Sequence, residues 1–175
     1  QRIGQGVLLY PQDKKRFSNI GEAHYYLIKK TYNYLKKLDK KNTLRIIPLW
    51  YFNIMNLTEK QKEYLRILGR LPKGIEIVTT TTSVEGAKEF RALTGRDPFI
   101  WDNNFAHWGQ VEAMPLILPP LNPPTVFNNK NIEGYIFLPM MPSDEDKVLV
   151  SWLSSFDYMW SPERYNPQRA LENIV

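Results

Sequence analysis

The sequence predicts an α/β fold built on parallel strands. Short, nearly continuous apolar runs recur along the chain, and segments with helical spacing of apolar residues separate them. Strands that are buried on both faces of a parallel sheet show this continuous apolarity instead of an alternation with polar residues. The order of elements is β-α-β-α-β-α-β-loop-β-α-α, which is typical of right-handed β-α-β units.

Five runs are predicted as strands because they are brief, rich in β-branched or aromatic residues, and bounded by polar, proline or glycine residues. They are Val7–Tyr10, Leu44–Leu49, Ile75–Thr79, Phe99–Asp102 and Gly134–Leu138. One long interruption, Asn104–Asn131, contains five prolines. Connections of this length usually carry a function or cover another part of the protein.

The segment after the first predicted strand has the spacing of an amphipathic helix, with Ser18 as its predicted N-cap. Its predicted apolar stripe consists of Ile20, Ala23, Leu27, Thr31, Tyr34 and Leu38. Four further helices are predicted from capping oxygens, a capping-box pair, a first-turn proline and a terminal glycine. These signals are Thr58 with Gln61, Ser83 with Gly95, Ser143 with Asp146, and Asn166 with Pro167.

Two architectures are compatible with this order of elements. A five-stranded doubly wound sheet needs nothing beyond this chain. A (β/α)₈ barrel needs three more βα units, since only closure removes the edge strands. The sequence shows no internal repeat and no domain boundary, so a single domain is predicted over residues 1–175.

Composition and charge exclude several classes of protein. Hydrophobic residues make up 43% and charged residues 23% of the chain, which is typical of a globular domain. The net charge is +5, but the lysines fall on predicted helix faces and no aromatic-basic module is present. We therefore expect no nucleic-acid partner.

The chain has no cysteine, which excludes disulfides, thiolate metal sites and cysteine nucleophiles. The two histidines, His24 and His107, lack metal-ligand spacing, so neither a metal nor another cofactor is expected, and His24 is predicted to be structural. No apolar run approaches the roughly 20 residues that span a bilayer. The start on Gln1 suggests a fragment or a processed chain, and the compartment is left open.

The segment Leu93–Asn103 reads Leu-Thr-Gly-Arg-Asp-Pro-Phe-Ile-Trp-Asp-Asn and resembles a signature of the family 84 glycoside hydrolases, which are β-N-acetylglucosaminidases. Further stretches resemble the family in the same order along the chain. They are Asp13–Phe17 with Glu22–His24, Ile47–Tyr51, Gly74–Ile77, Leu118–Leu121 and Asp157–Pro167. The resemblance implies a partial (β/α)₈ TIM-type barrel that comprises strands four to eight and their helices.

The same resemblance implies that strands one to three are missing from this chain. The absent amino-terminal half of the barrel, or another chain, would then pair with the Val7–Tyr10 strand. It also implies a GlcNAc-type glycan as ligand. In the family the substrate's own acetamido group is the nucleophile, and two adjacent aspartates after the fourth strand orient it and transfer the proton.

Tyr10-Pro11-Gln12 stands where the resemblance places that acid pair. Proline has no side-chain donor, and Gln12 can bind an acetamide but cannot transfer a proton at neutral pH. Asp13 is nearby, but it matches the family's helix-start pattern better, and a solvated residue near a helix N-terminus is the favoured interpretation. On this basis the domain is predicted to be catalytically inactive.

Three residues match positions that bind sugar in the family: Tyr51, Trp101 and Asn103. Asp102 is either a site carboxylate or a structural acid at a strand end, and the structural interpretation is favoured by roughly two to one. The polar contacts are reduced elsewhere, because His107-Trp108, Leu138–Met140 and Thr79–Thr82 replace polar motifs of the family.

Three functions therefore remain open from the sequence. The leading hypothesis is an inactive β-N-acetylglucosaminidase-like domain that has a structural or interaction role in a larger protein or complex. The second is an active hydrolase that is completed by a missing amino-terminal half. The third is a GlcNAc-binding module without turnover.

Overall fold

Four short strands form one parallel sheet in the computed structural model, which describes residues 10–102, 132–137 and 145–174. The strands are β1 (Leu44–Ile46), β2 (Ile75–Thr79), β3 (Phe99–Asp102) and β4 (Gly134–Phe137). They lie side by side in chain order, and each neighbouring pair is parallel.

Six helices accompany the sheet in the described residues: α1 (Pro11–Arg16), α2 (Ile20–Leu38), α3 (Glu59–Gly69), α4 (Val84–Thr94), α5 (Glu145–Trp160) and α6 (Pro167–Ile174). Two short 3₁₀ turns, Ile54–Asn56 and Pro162–Arg164, precede α3 and α6. Helix α2 contacts α3, and α3 contacts α4, so these three helices form one layer.

The strand order distinguishes the two architectures that the sequence left open. A doubly wound sheet reverses its strand order and carries helices on both faces. Here β1 to β4 follow the chain without a reversal, and α2, α3 and α4 form a continuous layer. Repeated right-handed crossovers in one direction produce this arrangement, which is that of a (β/α)₈ barrel.

The register assigns each strand residue to one of the two faces of the sheet, because side chains alternate along a strand. Ile75 and Ile77 pack with α3 and α4 and thus mark the helix-facing side. The paired positions place Ile100, Asp102 and Tyr135 on that same side. The opposite, inner face carries Arg45, Glu76, Val78, Phe99, Trp101 and Ile136.

The described core lies between the helix layer and the sheet. It contains Leu65 and Leu68 of α3, Ile77 of β2 and Phe90 of α4, all at most 2% exposed. Helices α3 and α4 approach so closely that a Cβ atom on Gly69 would lie 2.4 Å from the Thr94 carbonyl oxygen.

The predicted strands agree with the structure in the middle of the chain and differ at its ends. The bounds of β2 and β3 are confirmed, whereas β1 ends at Ile46 and not at Leu49. Pro48 explains the early end, because proline cannot donate a hydrogen bond to a strand ladder. Val7–Leu9 lie outside the described residues, and Tyr10 precedes α1 as its N-cap.

The predicted details of α2 are wrong in two respects. Its N-cap is Asn19 and not Ser18, since the Asn19 side chain accepts a hydrogen bond from the Glu22 N–H at 3.0 Å. The buried stripe is also different: the residues that pack on the core are Ile20, Tyr25, Ile28 and Tyr32. Leu27, Tyr34 and Leu38 are 61 to 64% exposed and form a second apolar stripe.

The predicted end residues of three helices are confirmed. Thr58 and Gln61 form a reciprocal capping box at α3. Ser83 caps α4, which ends at Gly95 with a φ of 67°. Asn166 accepts a hydrogen bond from the Arg169 N–H at the start of α6. Helix α5 begins at Glu145, and Ser143 lies outside the described residues.

Candidate functional site

The carboxyl edge of a parallel barrel is where βα loops assemble binding and catalytic residues. Tyr51 lies in the loop after β1 and is held against this edge by its backbone. Its carbonyl oxygen accepts hydrogen bonds from the Thr80 N–H at 2.8 Å and from the Thr79 hydroxyl at 2.7 Å. The Tyr51 ring is half-buried and packs edge to face on Phe52.

The residues before Tyr51 are attached to the helix layer. The Leu49 N–H donates to the Tyr64 hydroxyl at 3.2 Å, and the Trp50 ring packs edge to face on the Tyr64 ring at 4.8 Å between centroids. Tyr64 is 2% exposed and contacts His24 Nδ1 at 3.0 Å. His24 therefore has a structural contact, as its sequence position predicts.

Trp101 is the third residue of β3 and lies on the inner face of the sheet. Its neighbour Ile100 pairs with Thr79 of β2, whose hydroxyl binds the Tyr51 carbonyl oxygen, so Tyr51, after β1, and Trp101, on β3, flank the carboxyl end of β2. The Trp101 indole N–H is buried and makes no hydrogen bond with the residues that the structure describes. That N–H is a donor at the carboxyl edge with no assigned role.

Asp102 lies on the other side of the sheet. Its side chain is 1% exposed, and its Oδ2 accepts a hydrogen bond from the Tyr135 hydroxyl. Burial, together with the charge of Asp102, raises the pKa values of Tyr135 and of Tyr158 on α5, so both hydroxyls stay protonated. This helix-facing position supports the structural interpretation of Asp102 over a role in substrate binding.

Gln12 and Asp13 occupy the first turn of α1. Pro11 and Gln12 are thus helical residues. The segment Val7–Leu9 before them lies outside the described residues, so the comparison of Gln12 with the family's acid pair stays a prediction. Asp13 has the helix-start position that its pattern predicts. Asn103, His107, Trp108 and Leu138–Met140 lie outside the described residues.

The sequence reasoning overlooked a polar cluster on the inner face. Arg45 Nε donates to Glu76 Oε2 at 2.7 Å, and the Arg45 guanidinium lies 3.6 Å from the Phe99 ring centroid. The sequence pattern that indicates this cluster is a single charged residue between two apolar ones, Leu-Arg-Ile in β1 and Ile-Glu-Ile in β2. This cluster lies toward the amino ends of β2 and β3, away from Tyr51.

Arg96 was also missed, although it lies inside the motif that carried the resemblance. Its guanidinium donates to the carbonyl oxygens of Gly69, Pro72 and Ile75 at 3.1, 3.2 and 3.0 Å. Burial lowers its pKa from the ordinary arginine value. Arg96 thus connects the C-terminus of α3 to the start of β2.

Within residues 10–102, 132–137 and 145–174, no group of three or more His, Asp or Glu side chains could hold a metal ion. In that part of the chain, no helix is long and apolar enough to cross a membrane.

A parallel sheet wound in chain order, with aromatic side chains at its carboxyl edge, defines part of a glycosidase-type (β/α)₈ barrel. The sequence model described as beta-N-acetylglucosaminidase matches residues 7–175. The chain therefore belongs to the β-N-acetylglucosaminidase family, that of the family 84 glycoside hydrolases.

Solved structures show the same fold. A mutant of the Thermobaculum terrenum O-GlcNAc hydrolase is similar with a TM-score of 0.79 and 24% identity, over 96% of this chain and 36% of that one. CpGH84D has a TM-score of 0.62 and 16% identity, over 89% of this chain and 26% of its own. CpGH84B has a TM-score of 0.62 and 21% identity, over 83% and 28%. No curated protein sequence matches.

The chain therefore spans only about a third of the length of these structures. At these identities the likeness establishes the fold and not the activity.

Proposed function

We propose that this chain is the sugar-recognition part of a β-N-acetylglucosaminidase-like barrel. Tyr51, Trp101 and Asn103 contact a GlcNAc-type group, and any catalytic acids lie outside the described residues. The single observation that carries this proposal is the position of Tyr51 and Trp101 on either side of the carboxyl end of β2, with a buried indole donor that has no hydrogen-bond partner among the described residues. Aromatic faces with a few fixed polar groups are typical of sites for sugar rings.

The distribution of acids supports the second part of the proposal. Residues 47–52 and 80–83, which follow β1 and β2, contain no Asp or Glu. Asp102 accepts a hydrogen bond on the helix-facing side, and Asp13 belongs to α1. Substrate-assisted hydrolysis needs a carboxyl group within hydrogen-bond reach of the glycosidic oxygen. The chain by itself is therefore not expected to hydrolyse a glycoside.

Titration of the 175-residue chain with GlcNAc, followed by NMR, tests recognition. We expect shifts at the Trp101 indole N–H and the Tyr51 ring at millimolar sugar, and weaker binding by Trp101→Phe, which keeps an aromatic ring but loses the N–H and part of the ring face. Tyr34→Phe on the exposed side of α2 is the matched control and should bind as the wild type does. The absence of shifts at both residues up to saturating sugar would refute recognition.

Hydrolysis is tested separately with 4-nitrophenyl β-N-acetylglucosaminide. The expected result is no release of 4-nitrophenol by this chain alone. Release that disappears in Asp13→Asn or Gln12→Ala would contradict the proposal, because it would place a catalytic residue in α1.

A second candidate function, an interaction domain without turnover, is favoured by exposed apolar faces on two helices, α2 and α5. One face is the α2 stripe defined above. The other lies on α5, where Leu149, Phe156 and Trp160 are 54, 56 and 91% exposed. By contrast, the central helix α3 buries four of its residues. Exposed patches of this kind mark interaction sites.

For the α2 stripe we propose one occupant, an amphipathic helix of a further βα unit. The packing of α2 on α3 and of α3 on α4 repeats one pattern, and a helix on the free side of α2 would continue it. Lys30 and Lys37 lie beside the stripe on the solvent side, so the partner helix should carry acids at its outer flank. Such units are what the first part of a barrel supplies.

The probe is the Thermobaculum terrenum O-GlcNAc hydrolase from which the matched 36% has been deleted. Light scattering on co-expressed proteins should show a one-to-one complex that Tyr34→Gln weakens and the neighbouring Asn33→Gln leaves intact. A homodimer of this chain that Tyr34→Gln dissociates would show instead that the occupant of the α2 stripe is a second copy of the chain. A complex that is insensitive to Tyr34→Gln would also refute this occupant.

A further inference from the structure

His24, Tyr64 and the Leu49 backbone form a hydrogen-bonded chain from α2 through α3 to the loop after β1. His24 Nδ1 lies 3.0 Å from the Tyr64 hydroxyl oxygen, which accepts the Leu49 N–H at 3.2 Å. The His24 and Tyr64 rings are also in edge-to-face contact, at 5.7 Å between centroids. The Tyr64 side chain is buried, so these are its available partners.

The direction of the hydrogen bond between His24 and Tyr64 depends on the protonation state of His24. Because the Tyr64 oxygen already accepts from Leu49, its own hydrogen can be donated to Nδ1, provided that this nitrogen carries no proton. Neutral His24 with its proton on Nε2 meets this condition. A protonated imidazole donates from both nitrogens, which leaves the Tyr64 hydrogen without an acceptor in a buried position.

The loop that this chain of bonds holds is the one that carries Tyr51. Its second attachment is the Tyr51 carbonyl oxygen, which accepts from Thr79 and Thr80. Trp50 lies between the two attachments and packs on Tyr64. Rotation of the Tyr64 hydroxyl therefore removes one of two attachments of a short loop.

We propose that His24 is a pH-sensitive positioning residue for Tyr51. This inference rests on the proposed sugar contact of Tyr51. With neutral His24, the hydrogen bond from Leu49 to Tyr64 fixes the loop and presents the Tyr51 ring at the carboxyl edge. With protonated His24, the Tyr64 hydroxyl turns away, the Leu49 contact weakens, and the ring is no longer held for the sugar.

The neighbouring groups leave His24 as the titrating member of this chain. Burial raises the pKa of Tyr64, so its hydroxyl stays protonated at neutral pH. The α2–α3 interface also carries the Glu22–Arg70 ion pair at 3.1 Å, and the Arg70 guanidinium lies over Tyr25. An imidazole changes its charge between pH 5 and 8. Burial lowers the pKa of His24 below 6.5.

The experiment records the Leu49 amide resonance of the chain between pH 5 and 8, with and without GlcNAc. Four proteins are compared: wild type, His24→Asn, Tyr64→Phe and His107→Asn. His24→Asn retains an acceptor near Nδ1 but does not titrate, Tyr64→Phe removes the hydroxyl, and His107→Asn removes the only other histidine. We expect a single transition below pH 6.5 in the wild type and in His107→Asn, and a flat profile in the other two.

Affinity for GlcNAc should follow the same transition. Since the apparent Kd rises as the competent fraction falls, we expect binding about twofold weaker at the midpoint and about tenfold weaker one pH unit below it. His24→Asn should bind at acidic pH as it does at neutral pH.

The outcomes separate this inference from the proposed function. A Leu49 transition without any sugar binding refutes sugar recognition but retains the His24 control of the loop. Sugar binding together with a Leu49 amide resonance that does not depend on His24 refutes only the inference about His24. A transition that persists in His24→Asn also overturns it.

Discussion

The Tyr135 hydroxyl donates a hydrogen bond to Asp102 across the β3–β4 pair, on the side of the sheet that faces the helices. The inner-face neighbour Trp101 lies on the opposite side. Two consecutive residues of one motif are thus divided between the interior of the domain and its candidate site. This division leads to different expectations for their substitution.

Asp102→Ala should lower stability without removing sugar recognition. The change leaves the Tyr135 hydroxyl buried without its acceptor, and such a group costs about 1–3 kcal/mol. Urea unfolding measures the loss, and Asp102→Asn, which can still accept from Tyr135, should lose less. If Asp102→Asn were as stable as the wild type but did not bind GlcNAc, Asp102 would belong to the site after all.

Arg96→Ala should be the more damaging of two neighbouring arginine substitutions. Arg96 binds three backbone carbonyl groups, and a hydrogen bond to a charged group contributes about 1.5–3 kcal/mol, so the three together should cost more than about 3 kcal/mol. Arg91→Ala is the control, since its ion pair with Asp97 is exposed and should contribute less than about 1 kcal/mol. Equal losses in urea unfolding would contradict the structural role of Arg96.

Gly69→Ala should destabilise the domain although alanine favours helices. Its Cβ atom would lie 2.4 Å from the Thr94 carbonyl oxygen, so α3 and α4 would have to separate. Strain of this kind typically costs about 1–3 kcal/mol, which exceeds the helix-propensity gain of about 1 kcal/mol. Thermal unfolding measures the net effect. Glu63→Ala, on the same helix, is the control because it introduces no such clash. If the Gly69→Ala protein were as stable as the Glu63→Ala protein, the close approach of α3 and α4 would be disproved.

Stability should increase with pH up to about neutrality because of His24. The pKa of His24 is lowered in the folded state, so the unfolded chain binds more protons between that lowered pKa and 6.5. The contribution of His24 is complete above pH 6.5 and is lost as pH falls through the window. Urea unfolding at pH 5 and 7.5 should show a smaller difference in His24→Asn than in the wild type. An unchanged difference would assign the pH dependence to other groups.

The ends of elements were predictable where they depend on adjacent residues. The capping box of Thr58 and Gln61, the cap at Ser83 and the stop at Gly95 each use backbone groups within a few positions. The bounds of β2 and β3 follow likewise from short apolar runs between turn residues. The family resemblance depends on ordered motifs, and the match over residues 7–175 confirms it.

Which face of a helix or strand packs against the core was not predictable, because that depends on which neighbouring element is present. Helix α2 has two apolar stripes about 100° apart, a spacing of one residue, and only packing on α3 selects the one that contains Ile28. Sequence alone offered no reason to prefer it over the stripe that contains Leu27.

By itself the sequence determined the class of fold, the family and the residue types at the strand ends, since periodicity, capping and motif order are local properties. Tertiary structure alone decided that Asp102 faces the helices, that Gln12 belongs to α1, and that Tyr51 and Trp101 flank the carboxyl end of β2. The physical reason is that the orientation of a side chain depends on register and packing between segments far apart in the chain.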